Sequence, residues 1–195
     1  MTSGSRADRL LTRGRRLEFA TLGWNVVGVV VLAFAAVQAR SVALAGFGLD
    51  SLIEIGASTV VLWELAGVDE ARQNRGLRLI GVAFVALAVY LAVQSTVVLA
   101  LGTRPGHSAV GIAWTSATAV VMFLLAAGKA RTGAALDNPV LVAEGRITLV
   151  DGILATAVLA GLVGNALAGW WWADPLAGYV LLVYAAREAR AVLTR

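Results

Sequence analysis

The chain has no cysteine, a single histidine, a single lysine and three prolines in 195 residues. Without cysteine there is neither a disulfide framework nor a thiolate metal centre, so a metal would have to be held by oxygen or by the one imidazole, His107. Charge is equally scarce, at 14% of residues against 59% hydrophobic, with a mean hydropathy of +0.80. That balance cannot clothe a soluble domain and points to an integral membrane protein. The calculated isoelectric point near 10.3 could suggest a nucleic-acid partner. The arginines, however, are scattered between apolar runs and form no basic stripe, so no nucleic acid is expected and positive-inside placement accounts for them. No nucleophile, base and ligand set of the kind that intramembrane hydrolysis needs is visible, so no enzyme and no resident cofactor are expected.

What is abundant is apolar sequence in long runs. Six stretches have the roughly 20-residue length that crosses a bilayer: Leu17–Ala39, Val42–Gly67, Leu77–Gly102, Ser108–Ala127, Val142–Ala168 and Trp172–Val192. The expected fold class is all-α, a polytopic six-transmembrane-helix bundle. Its organisation is a basic cytoplasmic arm over 1–16 and a transmembrane domain over 17–195. The first run follows five arginines and lacks a small-residue cleavage site, so it reads as an anchor and not a signal peptide. The predicted breaks are a tight turn at Gln38–Ser41, a charged loop from Val68 to Gly76, a Pro/Gly turn at Gly102–Gly106 and a longest polar loop from Gly128 to Pro139. Fourteen of the sixteen basic residues then fall on the side of the termini, and only Arg40 and Arg104 on the other. That distribution predicts both termini in the cytoplasm. Trp170, Trp171 and Trp172 read as an interfacial anchor, and runs such as Gly46-Phe47-Gly48 predict close helix approach.

Three carboxylates interrupt the apolar runs. Asp50 and Glu54 are spaced i, i+4 and share one helix face, with Cβ atoms about 6 Å apart. Asp50 should lie about 13 Å below the outer end of the second run, and Asp151 at a similar depth from the inner end of the fifth. A charged side chain at that depth costs at least roughly 2.5–3.5 kcal/mol, which marks a functional site. If the second and fifth runs pack together, the three acids converge, and a divalent cation among them would leave one negative charge. An empty cluster would take up protons, because close carboxylates repel and are poorly solvated, so exchange of metal for protons follows. The bland alternative is that each acid satisfies a neighbour such as Ser51, Thr148 or nearby backbone. Glu144, seven residues before Asp151, is a candidate access-path carboxylate or a partner for Arg146, Lys129 or Arg131. Asp174, ahead of Pro175, reads as the cap of the sixth run, and Asn25, Gln94 and Asn165 as interhelical hydrogen-bonders. His107 reads as a solvated loop residue.

With these residues in view, the sequence resembles the transmembrane domain of the cation diffusion facilitator family of bacterial metal-efflux transporters. The resembling stretches run from Arg40 to Ser58, from Val150 to Ala155 and from Trp172 to Gly178. Asp50 and Glu54 match that family's acid-x-x-x-acid motif in span two, and Asp151 matches the second of two span-five ligands. The resemblance implies a multi-pass protein of the bacterial cytoplasmic membrane that exports a divalent ion such as zinc, manganese or iron against protons, as a homodimer. It also exposes two departures. Members commonly continue into a soluble cytoplasmic metal-binding domain, and this sequence, ending at Arg195, is expected to work without one. The usual first ligand of span five falls on Ile147. A site of three carboxylates suits harder ions than zinc, and a histidine at 147, one turn from Asp151, is expected to strengthen zinc binding. The rival expectation is a membrane interaction or regulatory protein that keeps the fold without transporting.

Overall fold

The computed structural model describes residues 3–65 and 70–194. They form six helices, α1 (Ser3–Ala39), α2 (Val42–Leu65), α3 (Glu70–Leu101), α4 (Ala109–Ala135), α5 (Pro139–Ala168) and α6 (Ala173–Leu193), and the described residues include no strand. The six apolar runs correspond one to one with these helices. Gly67, Val68, Asp69 and Arg195 lie outside the described residues.

Among the described residues, four helical segments are long and apolar enough to cross a bilayer: Asp8–Ala39, Arg78–Leu101, Ala109–Ala135 and Glu144–Ala168. The two shortest helices, α2 and α6, have 24 and 21 residues. Arg187, Glu188 and Arg190 crowd the last turns of α6 and dilute its apolar character.

Burial is inverted relative to a water-soluble protein. Val37, Leu79, Leu124 and Leu167 are among the most exposed side chains, whereas Asp50, Lys129, Thr115, Thr148, Asp151 and Asp174 are buried. An apolar exterior of this extent requires an apolar surrounding. The buried polar groups in turn require partners inside the protein.

α1 runs through the basic arm from Ser3 onward, where several arginines are good helix formers. One expectation about boundaries changes. The polar loop expected from Gly128 to Pro139 contracts to Leu136–Asn138, since α4 continues through Ala135. Polarity suggested a loop there, but Lys129 and Thr132 are both buried on the inward face of the helix.

The helix ends are closed by backbone geometry. Gly102 adopts φ 63° after α3, with Thr103 N–H donating to Val98 O at 3.1 Å and Gly102 N–H to Leu99 O at 3.4 Å. This is a Schellman ending, in which glycine meets the left-handed conformation without a Cβ penalty. Arg40 and Asp137 take the same conformation at the ends of α1 and α4, at φ 52° and 51°. After α4, Asn138 N–H reaches back to Gly133 O at 2.9 Å and the Asn138 side chain accepts from Leu141 N–H at 3.1 Å. One residue thus helps to close α4 and to cap α5.

α4 packs most extensively on α5, and α3 on α6, while α2 touches α1, α3, α6 and, over a short stretch, α5. The α4–α5 approach depends on Gly145, where an added Cβ would stand 3.0 Å from Ala130 N. Close packing of α5 on α4, together with the α2–α5 contact, sets Asp151 opposite the acids of α2.

Candidate metal centre

Asp50, Glu54 and Asp151 come together. One carboxylate oxygen from each lies within 4.8 Å of the others, with Asp50 and Asp151 buried and Glu54 partly so. Oxygens on opposite sides of a divalent ion, each about 2.0–2.4 Å from it, stand about 4.0–4.8 Å apart, so one ion can meet all three with little movement.

Satisfaction by neighbours does not account for the acids. Asp50 Oδ1, Glu54 Oε1 and Asp151 Oδ1 are all buried without a hydrogen-bond partner. Ser51 and Thr148, the hydroxyls anticipated as their partners, donate instead to Phe47 O at 3.1 Å and Glu144 O at 2.9 Å along their own helices. Three orphaned acceptors in one spot are costly, and a cation or shared protons would relieve them.

Two further side chains frame the cluster. Asn25, buried on α1, donates from Nδ2 to Glu54 Oε2 at 3.1 Å. Tyr184 of α6 is an electrostatic neighbour of all three acids, and its ring stands edge-on to Phe84 with centroids 6.2 Å apart. Next to Asn25, Trp24 stacks on Trp114 at 4.8 Å and donates to Thr118 Oγ1 at 3.0 Å, which fixes this part of α1 against α4. The role of Asn25 in the site was not distinguished in the sequence from ordinary interhelical bonding. A signal was present, because Asn25 lies seven residues after Glu18 and hence on nearly the same helix face.

Glu18 and Glu144 belong to a second polar tier. Lys129 Nζ lies 2.9 Å from Glu18 Oε2 and 3.9 Å from Glu144 Oε2, with its side chain only 1% exposed. Glu144 thus pairs with Lys129, one of its three anticipated partners, but with a lysine that is buried and not solvated. Glu18 and Asn25 on α1, like Glu144 and Asp151 on α5, are seven residues apart, so helical rise separates the tiers by about 10 Å.

Asp174 corrects a reading. It does not cap its own helix, whose N-cap position, Trp172, makes no side-chain cap bond. Asp174 instead crosses to α2, accepting from the Ser41 hydroxyl, from Val42 N–H at 3.0 Å and from Ala43 N–H at 3.5 Å. Ser41 Oγ accepts from Leu44 N–H at 3.0 Å. Together the two side chains satisfy three of the four free N–H groups at the start of α2.

Ile147 also departs from expectation. Its side chain is 48% exposed on the outer surface of α5, while the cluster is interior. The four-residue spacing brings it to the same side of the helix as Asp151 but leaves it outside the three-acid cluster. His107 is exposed in the connection between α3 and α4 and is not part of the three-acid cluster. Asn165 donates to Pro105 O at 3.0 Å, tying the end of α5 to that connection.

No protein-family model matches the chain, and no curated protein matches it. What the cluster can do therefore follows from its own chemistry. It offers hard oxygen ligands and a net charge that a divalent ion largely neutralises.

Proposed function

We propose that this protein is a secondary transporter for a divalent metal ion, working as a metal/proton antiporter in the manner of the cation diffusion facilitators its motifs resemble. The observation that carries the reading is the convergence of Asp50, Glu54 and Asp151 from two helices, each with an orphaned carboxylate oxygen inside an apolar-surfaced bundle. In this reading α1 to α6 all cross the cytoplasmic membrane of a bacterium, with both termini in the cytoplasm. The acids bind the ion, and rocking of α2 and α5 against their neighbours exposes them to each side in turn. Metal entering the cluster displaces the protons that otherwise neutralise it, and that exchange couples the two fluxes. Glu144, held by Lys129, stands on the path between the cluster and the cytoplasm. The family resemblance adds export as the direction, zinc, manganese or iron as the ion, and a homodimer as the assembly.

The test is proton flux in proteoliposomes loaded with a pH-sensitive dye. Addition of manganese or zinc should drive proton movement across vesicles holding the wild-type protein and none across vesicles holding Asp50→Asn or Asp151→Asn. Wild-type vesicles that are silent to every divalent ion would leave the membrane interaction protein as the better reading.

A further inference from the structure

Three carboxylates offer a hard divalent ion fewer ligand groups than it usually takes, since such ions prefer six or more oxygens. Among the described residues, the inner surface of the bundle has few groups left to complete the set. Ile147 is half exposed on the outer surface of α5. The Thr148 hydroxyl is buried but committed to Glu144 O. Lys129 is a cation and belongs to the lower tier. Of the two side chains that frame the cluster, Asn25 and Tyr184, Asn25 is the one that a hydrogen bond joins to an acid among the described residues: it is 6% exposed, with its carboxamide 3.1 Å from a carboxylate oxygen of Glu54.

A carboxamide has a donor end and an acceptor end, and half a turn about its terminal bond exchanges them. We propose that Asn25 is the fourth ligand of the cation site, donating to Glu54 when the site is without metal and turning its Oδ1 to the ion when metal binds. This rests on the reading of the acid cluster as a divalent-cation site. The neutral oxygen adds a ligand without adding charge, so three carboxylates and one amide with a divalent ion still carry one net negative charge. All four ligands are then oxygen, a set that favours manganese-like ions over zinc more strongly than an imidazole-containing site would. A third helix also enters the site. Metal binding therefore ties α1 to α2 and α5, and the motion that releases the ion must separate α1 from them as well.

The experiment uses the full chain purified in detergent, with manganese and zinc affinities read by calorimetry and the zinc shell read by X-ray absorption. Asn25→Leu should weaken manganese binding by roughly tenfold or more, while Asn25→Asp, which keeps an oxygen in place, should retain it. Asn25→His should raise zinc preference and add one imidazole to the zinc shell over wild type. Ile147→His, carrying the same imidazole on the outer surface, should add none. Manganese binding unchanged in Asn25→Leu would overturn the proposal. So would a zinc shell in Asn25→His without the extra imidazole, because a residue that merely positions Glu54 gives that result. Should Asn25→Leu fail to fold, the spectrum of Asn25→His decides alone. Failure of the underlying cation-site reading looks different, since Asp50→Asn and Asp151→Asn would then bind metal as wild type does, or wild type would bind none.

Discussion

At the residue scale, the lower tier shows how unequal the members of a buried ion pair can be. Lys129 is buried, but Glu18 and Glu144 keep side-chain exposures of 42% and 27%. Removing the lysine charge leaves two acids that water or lipid headgroups can still solvate. Removing Glu18 leaves a buried ammonium whose remaining carboxylate is 3.9 Å away, beyond good hydrogen-bond distance. Glu18→Gln should therefore destabilise the protein more than Lys129→Met, by roughly 1–3 kcal/mol. Thermal unfolding of both variants in the same detergent measures the difference, and the reverse order would show that Lys129 has another partner. The double variant Glu18→Gln/Lys129→Met should recover most of the loss, because it removes the charge together with its counter-charge. Lys129 is legible as the chain's only lysine, but in the sequence it falls within the polar loop expected from Gly128 to Pro139. A single basic residue amid polar neighbours looks the same in sequence whether it faces water or a carboxylate on another helix.

At the scale of elements, the start of α2 depends on α6. Asp174 is fully buried and accepts from Ser41, Val42 and Ala43, so its loss strands hydrogen-bond donors at a helix N-terminus that no water reaches. Asp174→Ala should cost about 2 kcal/mol or more, and Ser41→Ala about 1 kcal/mol, measured by thermal unfolding in detergent. Their combination should cost less than the sum, because both act on one cap. If Asp174→Ala is neutral while Ser41→Ala is not, the clamp between α2 and α6 contributes nothing and Ser41 caps unaided. The Asp-Pro pair at the head of α6 reads as a local cap because local caps are the commonest use of that pattern. Only the packing of α6 beside α2 could redirect the carboxylate to another helix. The clamp also holds α2, and with it Asp50 and Glu54, at a fixed height relative to α6.

At the scale of the whole molecule, the proposed topology makes a strict demand. Reporter fusions at Ser3 and after Arg195 should both read cytoplasmic, and one near Gly106 external, because fourteen of sixteen basic residues then lie on the cytoplasmic side. An external C-terminus would mean that one of the two shortest helices, α2 or α6, does not cross. The transport reading would then lose its alternating access, though not its acid cluster. The apolar exterior is compatible with either count, since it requires only that lipid or another apolar surface meets the helices.

The number of helices and most of their ends were determined by the sequence itself, because a bilayer-length apolar run and its Gly, Pro or Asn punctuation are local signals. The pairing of Asp50 with Glu54 was likewise local, fixed by helical periodicity. Packing of the helices decided the rest. It set Asp151 opposite that pair, brought Asn25 to Glu54, drew Lys129 inward to Glu18, carried Asp174 across to α2 and turned Ile147 outward. Each of these depends on which helix stands beside which face. A side chain's periodicity tells which neighbours it shares along its own helix, but a partner on another helix is chosen only when close packing rotates both faces together.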